Sequence, residues 1–167
     1  MAKMQDVALF FIDLANEIAD QDGGDGMTNL RLQKLLYFAQ GYYYARYGEM
    51  LFDAGFEAWP LGPVVPESYR QYAPYGRNFI PTSKKFDRST LTEQEFNFLM
   101  DFIAVYGDKS TSALISESHQ KGSPWYTAAM KGSHVPMSDE EIQQYFKGKE
   151  PIPSFDALLD DYPVMAV

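Results

Sequence analysis

With 167 residues, 46% of them hydrophobic and 16% aromatic, the chain has enough apolar surface for one ordinary domain with a packed core. It has no cysteine, which excludes disulfides, thiolate metal sites and cysteine nucleophiles and suits a reducing, cytoplasmic setting. A formal net charge of -9 disfavours general nucleic-acid binding, because phosphate backbones repel such a surface; it suits a basic protein partner, and solubility alone also accounts for it.

The longest apolar run, Val7 to Ile12, is far too short to span a membrane, and Asp6 and Asp13 do not fit a signal peptide. Val7, Phe10, Phe11, Leu14 and Ile18 recur at helical spacing and predict an amphipathic first helix, ended by the glycine-rich segment 22–26. Thr28 is an N-cap for a second helix running to about Tyr47, with Gly48 as its stop. Apolar residues lie all around this helix, which places it centrally. Gly41 inside it costs about 1 kcal/mol against alanine, a cost that close approach by another backbone would offset.

Residues 52–59 alternate in part and predict a short strand or extended arm. Pro60, Pro63 and Pro66 forbid a long helix there, Gly62-Pro63 marks a turn, and Pro66 opens a short helix holding Tyr69, Arg70 and Tyr72. Residues 74–81 read as a loop or a second short strand. Arg70, Arg77, Lys84, Lys85 and Arg88 form a basic run opposed only by Asp87 and read as a solvated loop. Thr92 with Glu95 makes a capping box ahead of a third long helix whose apolar face is Phe96, Leu99, Met100 and Ile103. Further helices are expected from Ser110 to His119, from Pro124 through Met130, and after the capping box Ser138/Glu141, ahead of Ile142, Tyr145 and Phe146. The breaker segment 148–153 leads into an acidic-apolar tail. The expected fold is mainly α: a single compact helical domain over 1–150, with a small extended or two-stranded β element between the second and third long helices, and a tail over 151–167.

Little here reads as active-site chemistry. His119 and His134 are the only histidines, and no H-E-x-x-H pattern accompanies them, so neither a metal nor a cofactor is expected. Serines flank His119, yet no G-x-S-x-G elbow is present, nor a phosphate-cradling glycine loop. The His119 ring is expected to cap its helix or bond a backbone carbonyl. Segment 22–26 lacks the ligand pattern of a calcium loop. Gln33, Tyr37, Gln40 and Tyr44 share one face of the second helix, with Lys34 beside them. Such an amide-phenol face serves either as an internal network or as a binding surface. Trp59 and Trp125 read as core anchors whose indole N–H groups need acceptors.

Residues 30–43 (LRLQKLLYFAQGYY), with Ala45-Arg46-Tyr47-Gly48, Leu51-Phe52, Glu57-Ala58-Trp59, Gly62-Pro63-Val64-Val65 and Tyr69-Arg70, strongly resemble the Panacea domain family, which includes SocA-like antitoxins and phage-associated GepA-type proteins. The stretch from Leu114 to His119, Pro124-Trp125, and Ile142 with Tyr145-Phe146 are similar to its downstream motifs. The resemblance covers roughly residues 6–146. It implies a helical, non-enzymatic antitoxin that neutralises a partner toxin, encoded by the adjacent gene, through direct protein contact. Alternatively it implies an adaptor delivering that partner to a AAA+ protease of the ClpXP kind. A hydrolase using His119 is a further alternative, and with no DNA-binding extension evident, operator binding is not expected. The candidate partner-contact residues are Gln33, Lys34, Tyr37, Gln40, Tyr44, Trp59, Pro63, Tyr69 and Arg70. Gly41, Gly62, His119 and Trp125 are expected to serve the fold.

Overall fold

A computed structural model describes residues 1–154 of the chain. Among the described residues it contains seven α-helices and one three-stranded antiparallel sheet. The mainly α expectation is met. The first two helices, α1 (Met4–Asp22) and α2 (Asn29–Tyr47), follow the predicted boundaries, and the Thr28 hydroxyl accepts the Arg31 amide at the start of α2. Strands β1 (Glu57–Trp59) and β2 (Gly62–Val64) pair with Trp59 opposite Gly62. The tight turn is therefore Pro60-Leu61, and Gly62-Pro63, expected to be the turn, is strand. The third strand, β3 (Val135–Pro136), joins the other side of β1 to give the order β2-β1-β3. This strand was not foreseen: two residues carry no periodicity to detect.

After β2 comes α3 (Pro66–Tyr72), followed by a short 3-10 turn and a loop rather than another strand. Side chains of α1 tie this loop down. Asn16 donates to the Ile80 carbonyl and the Thr82 hydroxyl, and the Asp13 carboxylate accepts the Phe86 amide at 3.1 Å. Helix α4 (Glu93–Tyr106) starts with the predicted capping box in full. Ser110, Ser123 and Ser138 cap α5 (Thr111–Ser118), α6 (Pro124–Ala129) and α7 (Asp139–Lys147) through their hydroxyls. The tail expected after residue 150 lies, from residue 155 onward, outside the described residues.

Helix α2 is the axis of the core. Leu32, Leu35, Leu36, Tyr37, Phe38 and Ala39 are all buried, and α1, α3, α4, α5, α7 and β2 pack around them. Two positions expected on apolar faces instead meet solvent: Ile18 on α1 and Met100 on α4 are each 44% exposed. Both stand on the outer edge of a stripe whose centre, Phe11 and Leu99, is buried. The close approach at Gly41 is made by a ring and not by a backbone. A Cβ built there would fall against the ring atoms of Phe146 on α7. Phe146 is 1% exposed and makes edge contacts with Tyr37, Phe38 and Tyr42, so its ring has little room to retreat.

Gly41→Ala would ordinarily favour the helix by about 1 kcal/mol. Overpacking against Phe146 reverses the sign, and a net loss of about 1–3 kcal/mol is expected from urea unfolding midpoints. Adding Phe146→Leu should recover part of that loss. A Gly41→Ala protein more stable than the parent would contradict this packing.

Candidate functional site

The polar face of α2 is turned inward except at its far end, where Tyr44 is half-buried. Gln33, Lys34, Tyr37 and Gln40 are all buried, and three of them bond the backbone of the segment that runs from residue 51 through the hairpin into α3. Gln40 accepts the amides of Leu51 (2.8 Å) and Phe52 (3.3 Å) and donates to the Phe52 carbonyl at 2.6 Å. Gln33 accepts the Val65 amide at 3.1 Å while its own NH2 group donates to Asn29 and Ser68. Asn29 in turn donates to the Tyr69 carbonyl at 3.0 Å. Of the two readings open for this face, the internal network is the one the structure adopts, and it holds the hairpin and α3 in place.

Lys34 Nζ donates to the Pro63 carbonyl at 2.8 Å, its one hydrogen bond among the described residues. The side chain is fully buried with no carboxylate paired to it among the described residues. Desolvation of the charged form therefore pushes its pKa down to about 7. Gly62 makes this geometry possible. Its φ of 119° lies in the left-handed region, and an added Cβ would meet Lys34 Cε at 2.7 Å and Ser118 Oγ at 2.9 Å. Only glycine supplies both the backbone angle and the space.

Two tryptophan–histidine stacks flank the sheet. Trp59 lies flat on His134 (4.1 Å between centroids, 13° between planes), with Tyr69 beside it at 4.7 Å. Trp125 lies flat on His119 (3.7 Å, 4°) and donates its indole N–H to the Trp59 carbonyl at 2.8 Å. Trp59 donates its own to Glu57 at 2.9 Å, so both indoles have the acceptors they need. The His119 ring does not bond a carbonyl as expected. Its Nε2 is buried without a hydrogen-bond partner among the described residues, and the backbone N–H of His119, not the ring, caps α5. Burial, then the nearby Lys34 charge, lower its pKa. The Tyr37 hydroxyl is likewise buried and unpartnered among the described residues, and desolvation raises its pKa.

The residues that remain accessible cluster on the outer side of the hairpin. Trp59 and Tyr69 are half-buried, Leu61 is 54% exposed, and Arg70 and Arg77 are exposed. Trp59, Leu61, Tyr69 and Arg77 line a cleft of about 460 Å³ between the start of α2, the hairpin and α3, with the buried Lys34 also in its lining. Leu61 and Arg77 were not singled out from the sequence as contact residues; Leu61 comes to this cleft from the hairpin turn and Arg77 from the segment after α3 and its 3-10 turn. Pro63 is buried in β2, and Tyr44 stands away from the cleft near the far end of α2, with Lys147 of α7 at 5.6 Å over its ring. Chemically, the cleft offers aromatic and aliphatic walls and cationic groups. The neighbouring Ser118 hydroxyl is committed to the Ile115 carbonyl, and no cluster of three or more His, Asp or Glu residues among the described residues is placed to hold a metal.

The family model described as "Antitoxin SocA-like, Panacea domain" matches residues 32–126, from the body of α2 through the hairpin, α3, α4 and α5 into α6. The chain belongs to this family. It is also similar to a protein named antitoxin SocA from Caulobacter vibrioides (strain NA1000 / CB15N), with 33% identity over 110 residues, covering 59% of this chain and 58% of that one. The chain thus spans well under two thirds of the relative it matches. No solved structure matches it. No helix among the described residues is long and apolar enough to cross a membrane. The family match takes in the hairpin and its Gln33 and Lys34 supports, together with Gly41, but stops short of Phe146, the ring packed on Gly41.

The buried Lys34 amine makes stability depend on pH. Its folded pKa, about 7, lies below its unfolded value of 10.5, so in that window the unfolded chain holds the proton more tightly. Stability is lowest below pH 7 and rises as pH climbs through the window. Urea midpoints should therefore increase from pH 7 to pH 9 in the parent, and Lys34→Met should flatten that rise. His119, whose lowered pKa titrates below this range, does not contribute to it. A parent and a Lys34→Met variant with equal slopes would show that the amine is not desolvated.

Proposed function

We propose that this chain is a cytoplasmic, non-enzymatic antitoxin that neutralises a partner toxin, encoded by the adjacent gene, by direct protein–protein contact. Membership of the SocA-like Panacea family is the observation that carries this reading, and the similarity to a protein named antitoxin SocA supports it. The surface supports it as well. The hairpin, α3 and the turn after it bring Trp59, Leu61, Tyr69 and Arg77 to one cleft, with Arg70 exposed on α3, and aromatic residues and arginine are the types that dominate the energetics of protein interfaces. The network beneath keeps this face rigid, which lowers the ordering cost of association. A specific complex would cover on the order of 1,600 Å² in total. Neutralisation follows if that contact covers or distorts the toxin's active surface.

The adjacent gene product, expressed alone, should arrest growth, and co-expression of this chain should restore growth with both proteins recovered as a complex. Tyr69→Ala with Leu61→Ala should weaken the complex by about tenfold or more while the helical circular dichroism is kept. A toxin that stays fully active beside the intact chain would defeat the proposal. Loss of the toxin only in cells that retain the AAA+ protease would favour delivery to that protease over masking.

A further inference from the structure

The cleft beside the hairpin departs in charge from the rest of the molecule. The chain carries 23 Asp and Glu residues against 14 Lys and Arg, yet the charged residues lining this cleft are Lys34 and Arg77, with no Asp or Glu in the lining. The Glu57 carboxylate, two residues before Trp59 on the same strand, accepts the Trp59 indole N–H and is not part of the lining. The walls between the two cations are apolar: Leu30, Val64 and Leu61, with the rings of Trp59 and Tyr69 standing 4.7 Å apart.

We propose that this cleft takes an extended segment of the partner protein that presents an aliphatic side chain next to a carboxylate. The aliphatic group would enter between Leu61 and the Trp59–Tyr69 pair, and the carboxylate would pair with Arg77 within the field of Lys34. The inference rests on the antitoxin reading for the partner's being a protein, and on three observations for its chemistry. First, the charged groups in the lining are both basic on a chain of net charge -9, so an acidic segment that the overall acidic excess repels meets no carboxylate in this lining. Second, Lys34 is a fully buried amine whose one acceptor among the described residues is Pro63, so an acceptor entering the cleft would find at least one N–H donor without a partner. Third, Leu61 is 54% exposed at the tip of a rigid two-residue turn, an apolar side chain left without a cover. A segment bearing only apolar groups would leave the cations unpaired, and a basic one would meet them with like charge.

The test uses the intact chain labelled with 15N and three capped peptides. The first is acetyl-Gly-Ser-Asp-Leu-Asp-Ser-Gly-amide. The second replaces both Asp residues with Lys, and the third replaces Leu with Gly. Titration with the first should shift the Trp59 indole N–H and the amides of Tyr69, Gly76 and Arg77. The lysine and glycine peptides should bind about tenfold more weakly or not at all. Arg77 is exposed, so Arg77→Glu should fold normally and reverse the preference in favour of the lysine peptide. Equal binding of the acidic and basic peptides, no binding of any, or shifts confined to another face would each overturn the assignment. No toxin enters this measurement. A chain that fails to neutralise its neighbour's product therefore counts against the antitoxin reading alone, and a cleft indifferent to peptide charge counts against the cleft assignment alone.

Discussion

The hydrogen bonds from α2 to the segment 51–69 are the constraint on which the rest depends. Two strands of three residues joined by a two-residue turn cannot hold themselves together in water, and the sheet gains only two more residues from β3. What fixes them is a helix that uses its own side chains as a substitute strand. Gln40, Gln33 and Lys34 each bond backbone groups that would otherwise be buried and unpaired, and Asn29 does the same for α3. Buried backbone groups without partners are costly, so a partial version of this network would be worse than none. The low accessibility of the four α2 residues is thus tied to the accessible residues above them: the buried row sets where Trp59, Leu61 and Tyr69 stand.

Glycine enters this scheme at two places for different reasons. At Gly41 the issue is volume, because the Phe146 ring of α7 occupies the space a side chain would need. At Gly62 it is both volume and angle, because the strand passes directly over the Lys34 stem with φ at 119°. Together they let α7 and the hairpin dock on α2 at shorter range than any side chain would allow. The histidines serve the same end. Each is spent as a flat surface for a tryptophan, and the Trp125 indole then ties α6 to β1 through the Trp59 carbonyl.

Electrostatics divides the molecule along the same line. The acidic excess keeps the surface at large hostile to anions. Of the basic residues in the run from 70 to 88, Arg77 lines the cleft, Arg88 lies 4.0 Å above the Phe96 ring, and Arg70, Lys84 and Lys85 are exposed. A run that reads as one feature along the chain is therefore dispersed over several places in space.

The chain's own order of residues determined what depends on near neighbours. Helix starts at Thr28, Thr92, Ser110, Ser123 and Ser138 are hydroxyl caps that close rings within three residues, and proline positions bar helix through the hairpin; both are legible without knowing the fold. The family was legible too, because its motifs are short runs of neighbouring residues in a fixed order along the chain. What only the tertiary structure decided involves partners far apart in the chain. Gln33 and Gln40 are internal because segment 51–69 folds back onto α2, and nothing in their helical spacing distinguishes that from an open face. The third strand exists because residues 135–136 arrive beside β1 after four further α-helices. Leu61 and Arg77 share a cleft for the same reason: burial and proximity are properties of the packed chain, and local spacing does not encode them.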